Sequence, residues 1–269
     1  MNEENIKGFQ KVVKWGAIAL AVMLIVAIIG SIVSLIFGIF GIETGITDMR
    51  DYEINESFSD IDMEISAAEI KILSGEKFSV RSNIKDLYVG VSRDKLEIEE
   101  KNKLFRNYNG AVIEITLPES FTFVNAKITA GAGEVKIERL AAVNLEMDLG
   151  AGRVTVNELY ASGSADIEGG AGELNIGGGS IHNLDFEMGL GKCTFRSRMS
   201  GECDLDMGVG EANVILVGTE ADYKISLSAG LGAASFNGRA FNNETVGSGP
   251  CRININGGIG KLEVLTEAE

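Results

Sequence analysis

Beyond residue 126 the chain alternates apolar and polar positions, and the alternation is broken at regular intervals by the tripeptide G-x-G. The tripeptide occurs at Gly131–Gly133, Gly150–Gly152, Gly170–Gly172, Gly189–Gly191, Gly208–Gly210, Gly230–Gly232 and Gly258–Gly260. Successive copies are 19, 20, 19, 19, 22 and 28 residues apart. With the first glycine as position zero, positions −5 and −3 are mostly apolar, as in Leu145 and Met147, Leu184 and Phe186, and Ile253 and Ile255. Positions +4 and +6 are apolar as well, as in Val135 and Ile137, Val154 and Val156, and Leu262 and Val264. Period two on both sides of the glycines predicts a strand, a G-x-G junction and a second strand in every copy.

The residue between the glycines is always Ala, Leu, Val or Ile, which continues the apolar series to position +1. The next apolar position is +4, so the phase slips by one residue and the chain must bend or bulge at the second glycine. A short, constant period with corners predicts an all-β, right-handed β-solenoid whose coils stack about 4.8 Å apart around one core. A sandwich of hairpins is the alternative. Equivalent chemistry at equivalent positions favours the solenoid. A degenerate copy, ISAAEIKIL at 65–73, places Ser66 at the first glycine position. Residues 74–123 depart from the repeat and form either irregular first coils or a cap, and the acidic tail 266–269 closes the other end.

The N-terminus follows different rules. Trp15 to Ile42 is an uncharged run of 28 residues, which as a helix would measure roughly 42 Å against a hydrocarbon core of about 30 Å. It is too long for a signal-peptide core and lacks an A-x-A-like close. This predicts one N-terminal transmembrane α-helix ahead of the β domain. Lys7, Lys11 and Lys14 precede the run, and Glu43, Asp48 and Asp51 follow it. The positive-inside rule then puts residues 1–14 in the cytoplasm, the single pass at 15–42, a linker at 43–51 and the β domain at 52–265 outside the cell membrane. Gly30, Ser34 and Gly38 share one helix face, a spacing that would let two spans pack as a homodimer.

Composition narrows the chemistry. The net charge of −15 disfavours nucleic acid as a partner. Three cysteines and one histidine, His182, are too few for a disulfide framework or a His-rich metal centre. Cys193 and Cys203 fall on apolar positions and read as buried thiols. No phosphate loop and no Ser–His or Cys–His constellation is present, so no catalytic residue is assigned.

Positions −4 and −2 carry an acidic ladder: Glu146 and Asp148, Asp166 and Glu168, Asp185 and Glu187, Asp204 and Asp206. Asp62 and Glu64 match it in the degenerate copy, whereas the last two copies hold Ser226 and Ser228, and Asn254 and Asn256. Stacked in register, these carboxylates would either draw a cation, with Ca²⁺ the one suited to oxygen-rich sites, or form a solvated face that keeps the sheet soluble. Position +3 alternates in sign through Glu134, Arg153, Glu173, Lys192 and Glu211, so adjacent coils should pair opposite charges. Two segments interrupt the pattern. One is basic and aromatic, with Lys101, Lys103, Phe105, Arg106 and Tyr108; the other is the insertion 237–250, with Arg239, Phe241 and Asn242. Both are candidate partner loops.

The run GAVIEITLPESFTFVNAKITAGAGEVKIERLAAVNLEMDLGAGRVTVNEL, from Gly110 to Leu159, resembles the bacterial "putative adhesin" β-strand-repeat domain of unknown function. The resemblance extends over roughly residues 52–265. It implies a cell-envelope protein, commonly with an N-terminal membrane anchor, and it supplies no catalytic residues. The expected function is a non-catalytic envelope scaffold or adhesin-like interaction protein whose partner is an envelope protein or polymer. The alternative is a carbohydrate-active β-helix enzyme that uses the acidic strip.

Overall fold

The computed structural model describes residues 45–101, 109–240 and 243–268. The predicted span 15–42, with Gly30, Ser34 and Gly38, lies outside the described residues. Among the described residues no helix is long and apolar enough to cross a membrane.

Strands occupy nearly all of the described chain. They are β1 (Ile46–Tyr52), β2 (Asp60–Gly75), β3 (Ser79–Ile84), β4 (Leu87–Ser92), β5 (Lys95–Glu100), β6 (Val112–Pro118), β7 (Phe123–Ile176), β8 (Gly179–Val217), β9 (Tyr223–Ser228), β10 (Leu231–Phe236), β11 (Arg239–Ala240), β12 (Thr245–Val246) and β13 (Cys251–Glu267). β7 contains three G-x-G junctions and β8 two, so each winds through more than one coil of an all-β solenoid-like stack.

The coils are parallel and in register. Asp166 pairs with Asp185 and Gly172 with Gly191, and one coil further on Gly210 pairs with Gly260. Inward positions are −5, −3, −1, +4 and +6; in one coil these are Leu145, Met147, Leu149, Val154 and Val156, all buried. Phe186 and Phe195 meet edge to face inside the stack, 5.2 Å between centroids. Stacking neighbouring coils over such inward side chains supplies the apolar burial that one coil cannot make alone.

The bend expected at the second glycine is present. Gly152, Gly172 and Gly210 have φ of 142°, 139° and 144°, a region closed to side chains in practice. The first glycines are required for another reason. A Cβ on Gly150 would stand 1.9 Å from the carbonyl oxygen of Gly131 in the coil below. Ser66 and Ala68 escape this demand. Their coil pairs outward with β5 only up to Glu99 and with β6 only from Val112, so no paired strand residue stands opposite Ser66 or Ala68 on that side among the described residues.

Coil order differs from chain order at both ends. β13 lies between the last turn of β8 and the coil formed by β9 and β10, pairing in parallel with both. β2 likewise lies between β7 and the coil formed by β5 and β6. The long 28-residue spacing is the length the chain needs to double back from the outermost coil. Residues 74–123 supply both an outer coil and a cap. β3 pairs antiparallel with β6 and β1 with β3, while β4 covers β5. β11 and β12 cover β10 and β9 at the far end. Edges that would otherwise template aggregation are thereby occupied by short strands.

Two boundaries and one side-chain orientation differ from the expectation. The β domain begins at Ile46, because residues assigned to the linker pair with β3 from Ile46 to Tyr52. The acidic tail does not close the stack: Glu267 belongs to β13 in an inner coil and pairs with Arg196 at 3.1 Å. The residue between the glycines does not point inward. Leu190, Val209, Ile259 and Leu231 are 54, 45, 53 and 74 % exposed, because the bend lifts the junction out of the wall as a crest.

Candidate functional site

The most distinctive surface runs along this crest. Ala171 pairs with Leu190, Val209 with Ile259, and Ile259 with Leu231, so the middle residues of the G-x-G tripeptides form a continuous exposed ladder. Toward the N-terminal end its members are Ala132, Ala151 and Ala171; toward the C-terminal end they are the four large aliphatics. Beside the ladder lies an open groove of about 580 Å³. Its floor is the glycine column Gly131, Gly150, Gly170, Gly189 and Gly208, and its acidic wall is Asp148, Glu168, Glu187 and Asp206. The glycine floor follows from the collision argument above, since only a missing side chain lets the coils approach this closely.

The predicted acidic ladder is brought together, and its two ends are neutralised differently from its middle. At one end Lys127 pairs with Glu146, and the Thr129 hydroxyl donates to Asp148 at 3.2 Å. At the other end Asn254 donates to Asp204 at 2.7 Å and Asn256 to Asp206 at 2.6 Å. In the degenerate copy Lys95 pairs with Asp62 at 2.9 Å. Between these ends Asp166 sits in register with Asp185, and Glu168 with Glu187. Partial burial, then the charges of Asp185, Glu146 and Asp148, push the Asp166 carboxyl above its ordinary range. Glu168 is pushed up chiefly by Asp148, then by burial and by Asp166 and Glu187. These carboxylates form a line along the stack. Among the described residues no group of three or more acidic, histidine or cysteine side chains converges to hold a metal ion.

The alternating +3 ladder closes one pair, Arg153 to Glu173 at 3.1 Å. Glu173 stands in register with Lys192, and Glu211 with Lys261. Of the partner loops, Lys101 lies over the Tyr88 ring at 4.6 Å and Arg239 faces Glu220 at 3.8 Å. Lys103, Phe105, Arg106, Tyr108, Phe241 and Asn242 lie outside the described residues. His182 is at the surface, its Nδ1 3.0 Å from the Ser200 hydroxyl. Cys193, Cys203 and Cys251 are buried free thiols, as expected for the first two. Burial pushes Cys193 up to about 12. The exposed aliphatic crest is the feature missed in the sequence. Its signal was the growth of the middle residue from Ala to Leu, Val and Ile along the copies.

A parallel solenoid with an acidic groove and an apolar crest defines the class of protein. The family follows: the chain belongs to the Toastrack DUF4097 family, whose model matches residues 51–243. No curated protein matches the chain. Solved structures similar to it include a "putative adhesin" from Bacteroides fragilis, at 16 % identity over 80 % of this chain and 95 % of the other, with a TM-score of 0.46. A "putative cell adhesion protein" from Clostridium sporogenes shares 17 % identity over 82 % of this chain and 98 % of the other, with a TM-score of 0.35. A "putative adhesin" from Parabacteroides merdae shares 13 % identity over 82 and 95 % of the two chains, with a TM-score of 0.38.

Proposed function

We propose that this chain is a single-pass protein of the bacterial cell membrane whose β domain stands outside the cell and serves as a non-catalytic interaction scaffold. The carrying observation is the crest: four large aliphatic side chains remain in water, in register, on a rigid face. Contiguous exposed apolar surface rimmed by charge marks interaction sites. The uncharged 15–42 run and its flanking lysines support the anchor and the orientation. The groove also favours binding over glycoside chemistry. Its lining carboxylates share one column on one wall, whereas a glycosidase needs two carboxyls flanking the scissile bond.

Crosslinking of the full chain in its native membrane, followed by identification of the captured species, tests this reading. The expected result is a specific envelope protein or polymer joined to the β domain. Hydrolysis of envelope polysaccharide by the purified full chain, abolished by Asp185→Asn with Asp204→Asn, would establish the enzyme reading instead.

A further inference from the structure

We propose that the crest and groove together dock a cationic amphipathic helix, its apolar face on Leu190, Val209, Ile259 and Leu231 and its cations along the acidic wall. The inference rests on the interaction-scaffold reading and names the chemistry of the partner. The apolar ladder supplies a seat that water does not favour. On the groove side of the crest the charge is of one sign: Glu168 and Glu187 of the wall, with Asp166 and Asp185 two residues further along the same strands, have no ion pair among the described residues, while the outer rungs are satisfied by Lys127, Asn254 and Asn256. A partner that brings cations to those central rungs relieves the repulsion that the stack itself leaves in place.

The backbone decides the shape of the partner. From Ala171 to Ile259 the main chain of the crest is paired with neighbouring coils, so that stretch offers side chains and no free strand edge; only Leu231, in the outermost coil, borders an edge. An extended peptide could not add to the sheet there; a partner that satisfies its own backbone, a helix, can lie on it. The spacings agree as well. Helical neighbours on one face recur every ~4.5–6 Å along the axis, against coils about 4.8 Å apart. From the Gly150 coil to the Leu231 coil the surface runs about 24 Å, the length of a helix of roughly 16 residues. A second copy of this chain is the poorer occupant, because each copy carries a net charge of −15.

The test uses the full chain in phosphatidylcholine nanodiscs and a labelled 16-residue Leu/Lys amphipathic peptide. Binding is read by fluorescence anisotropy after subtraction of empty nanodiscs. A scrambled peptide of the same composition serves as control. Wild type should bind the amphipathic peptide more tightly than the scrambled one. Val209→Ser, Leu231→Ser and Ile259→Ser together should weaken binding about tenfold, and Asp166→Asn with Glu168→Gln, Asp185→Asn and Glu187→Gln should do so by a similar factor that shrinks in high salt. All seven positions are on the surface, and circular dichroism checks that both variants remain folded. Binding no tighter than to empty nanodiscs, or unchanged by either set, would overturn the proposal, as would a dimer in native mass spectrometry that the serine set dissolves. Those results would leave the crosslinking outcome untouched, whereas polysaccharide turnover would sink the scaffold reading whatever the peptide does.

Discussion

Asp166 and Glu168 hold their protons more tightly in the folded chain than free carboxyls do. A raised folded-state value means that stability from these groups grows as pH falls into the carboxylate range and is withdrawn as pH rises through it. Replacing both with their amides should therefore raise the thermal midpoint at neutral pH and low salt, by about 1–3 °C. The gain should fade as pH falls through the carboxylate range, where the wild-type carboxyls protonate, and in concentrated salt. Differential scanning calorimetry of wild type and variant across pH measures it. A lower midpoint at neutral pH would show that the two carboxylates support the stack. The acidic ladder was legible because a stacked repeat converts sequence position directly into spatial position. The crest was not, because position +1 continues the same period of two that is buried at −3 and −1. Only the three-dimensional bend at the second glycine distinguishes it.

At the scale of the G-x-G junction, two distinct demands meet on the second glycine. Gly172 combines φ of 139° with a would-be Cβ 1.9 Å from the Gly152 carbonyl oxygen. That contact is backbone to backbone and repeats in the neighbouring coils, so it has nowhere to relax. Gly172→Ala should cost about 2–4 kcal/mol, through strain and coil separation together. Gly238 also has a positive φ, 76°, but no atom lies within 4 Å of its Cβ position. Gly238→Ala should therefore cost only about 1 kcal/mol. Urea unfolding of the two variants makes the comparison, and equal losses would mean that stacking distance does not limit the junction. The junction strands and the bend were readable from spacing and phase alone. The tolerance of Ser66 and Ala68 was not, since it depends on which coil lies beneath them.

For the whole molecule, the decisive feature is that both terminal coils of the sequence lie one place in from the ends of the stack. A repeat read in order would lose only its last coil when truncated. Here, removing residues after Pro250 takes away β13, on which the β9 and β10 coil rests and against which β8 is packed. Hydrogen exchange of a chain ending at Pro250 should therefore show protection lost from 223–236 and from 202–217 together. Protection retained across 223–236 would mean that the outer coil can pack directly on β8. Pairing order of this kind is invisible to periodicity, because the copies are equivalent in pattern and only their loops decide who neighbours whom. Strand order at the two ends also limits how such a domain can change length. A copy appended to either terminus would have no free neighbour, so growth has to occur by duplication within the middle, between Gly150 and Gly208. A single extra copy there would place like charges in contact at the alternating positions occupied by Arg153, Glu173 and Lys192, whereas a pair of copies would preserve the alternation. Domains of this design should lengthen two coils at a time.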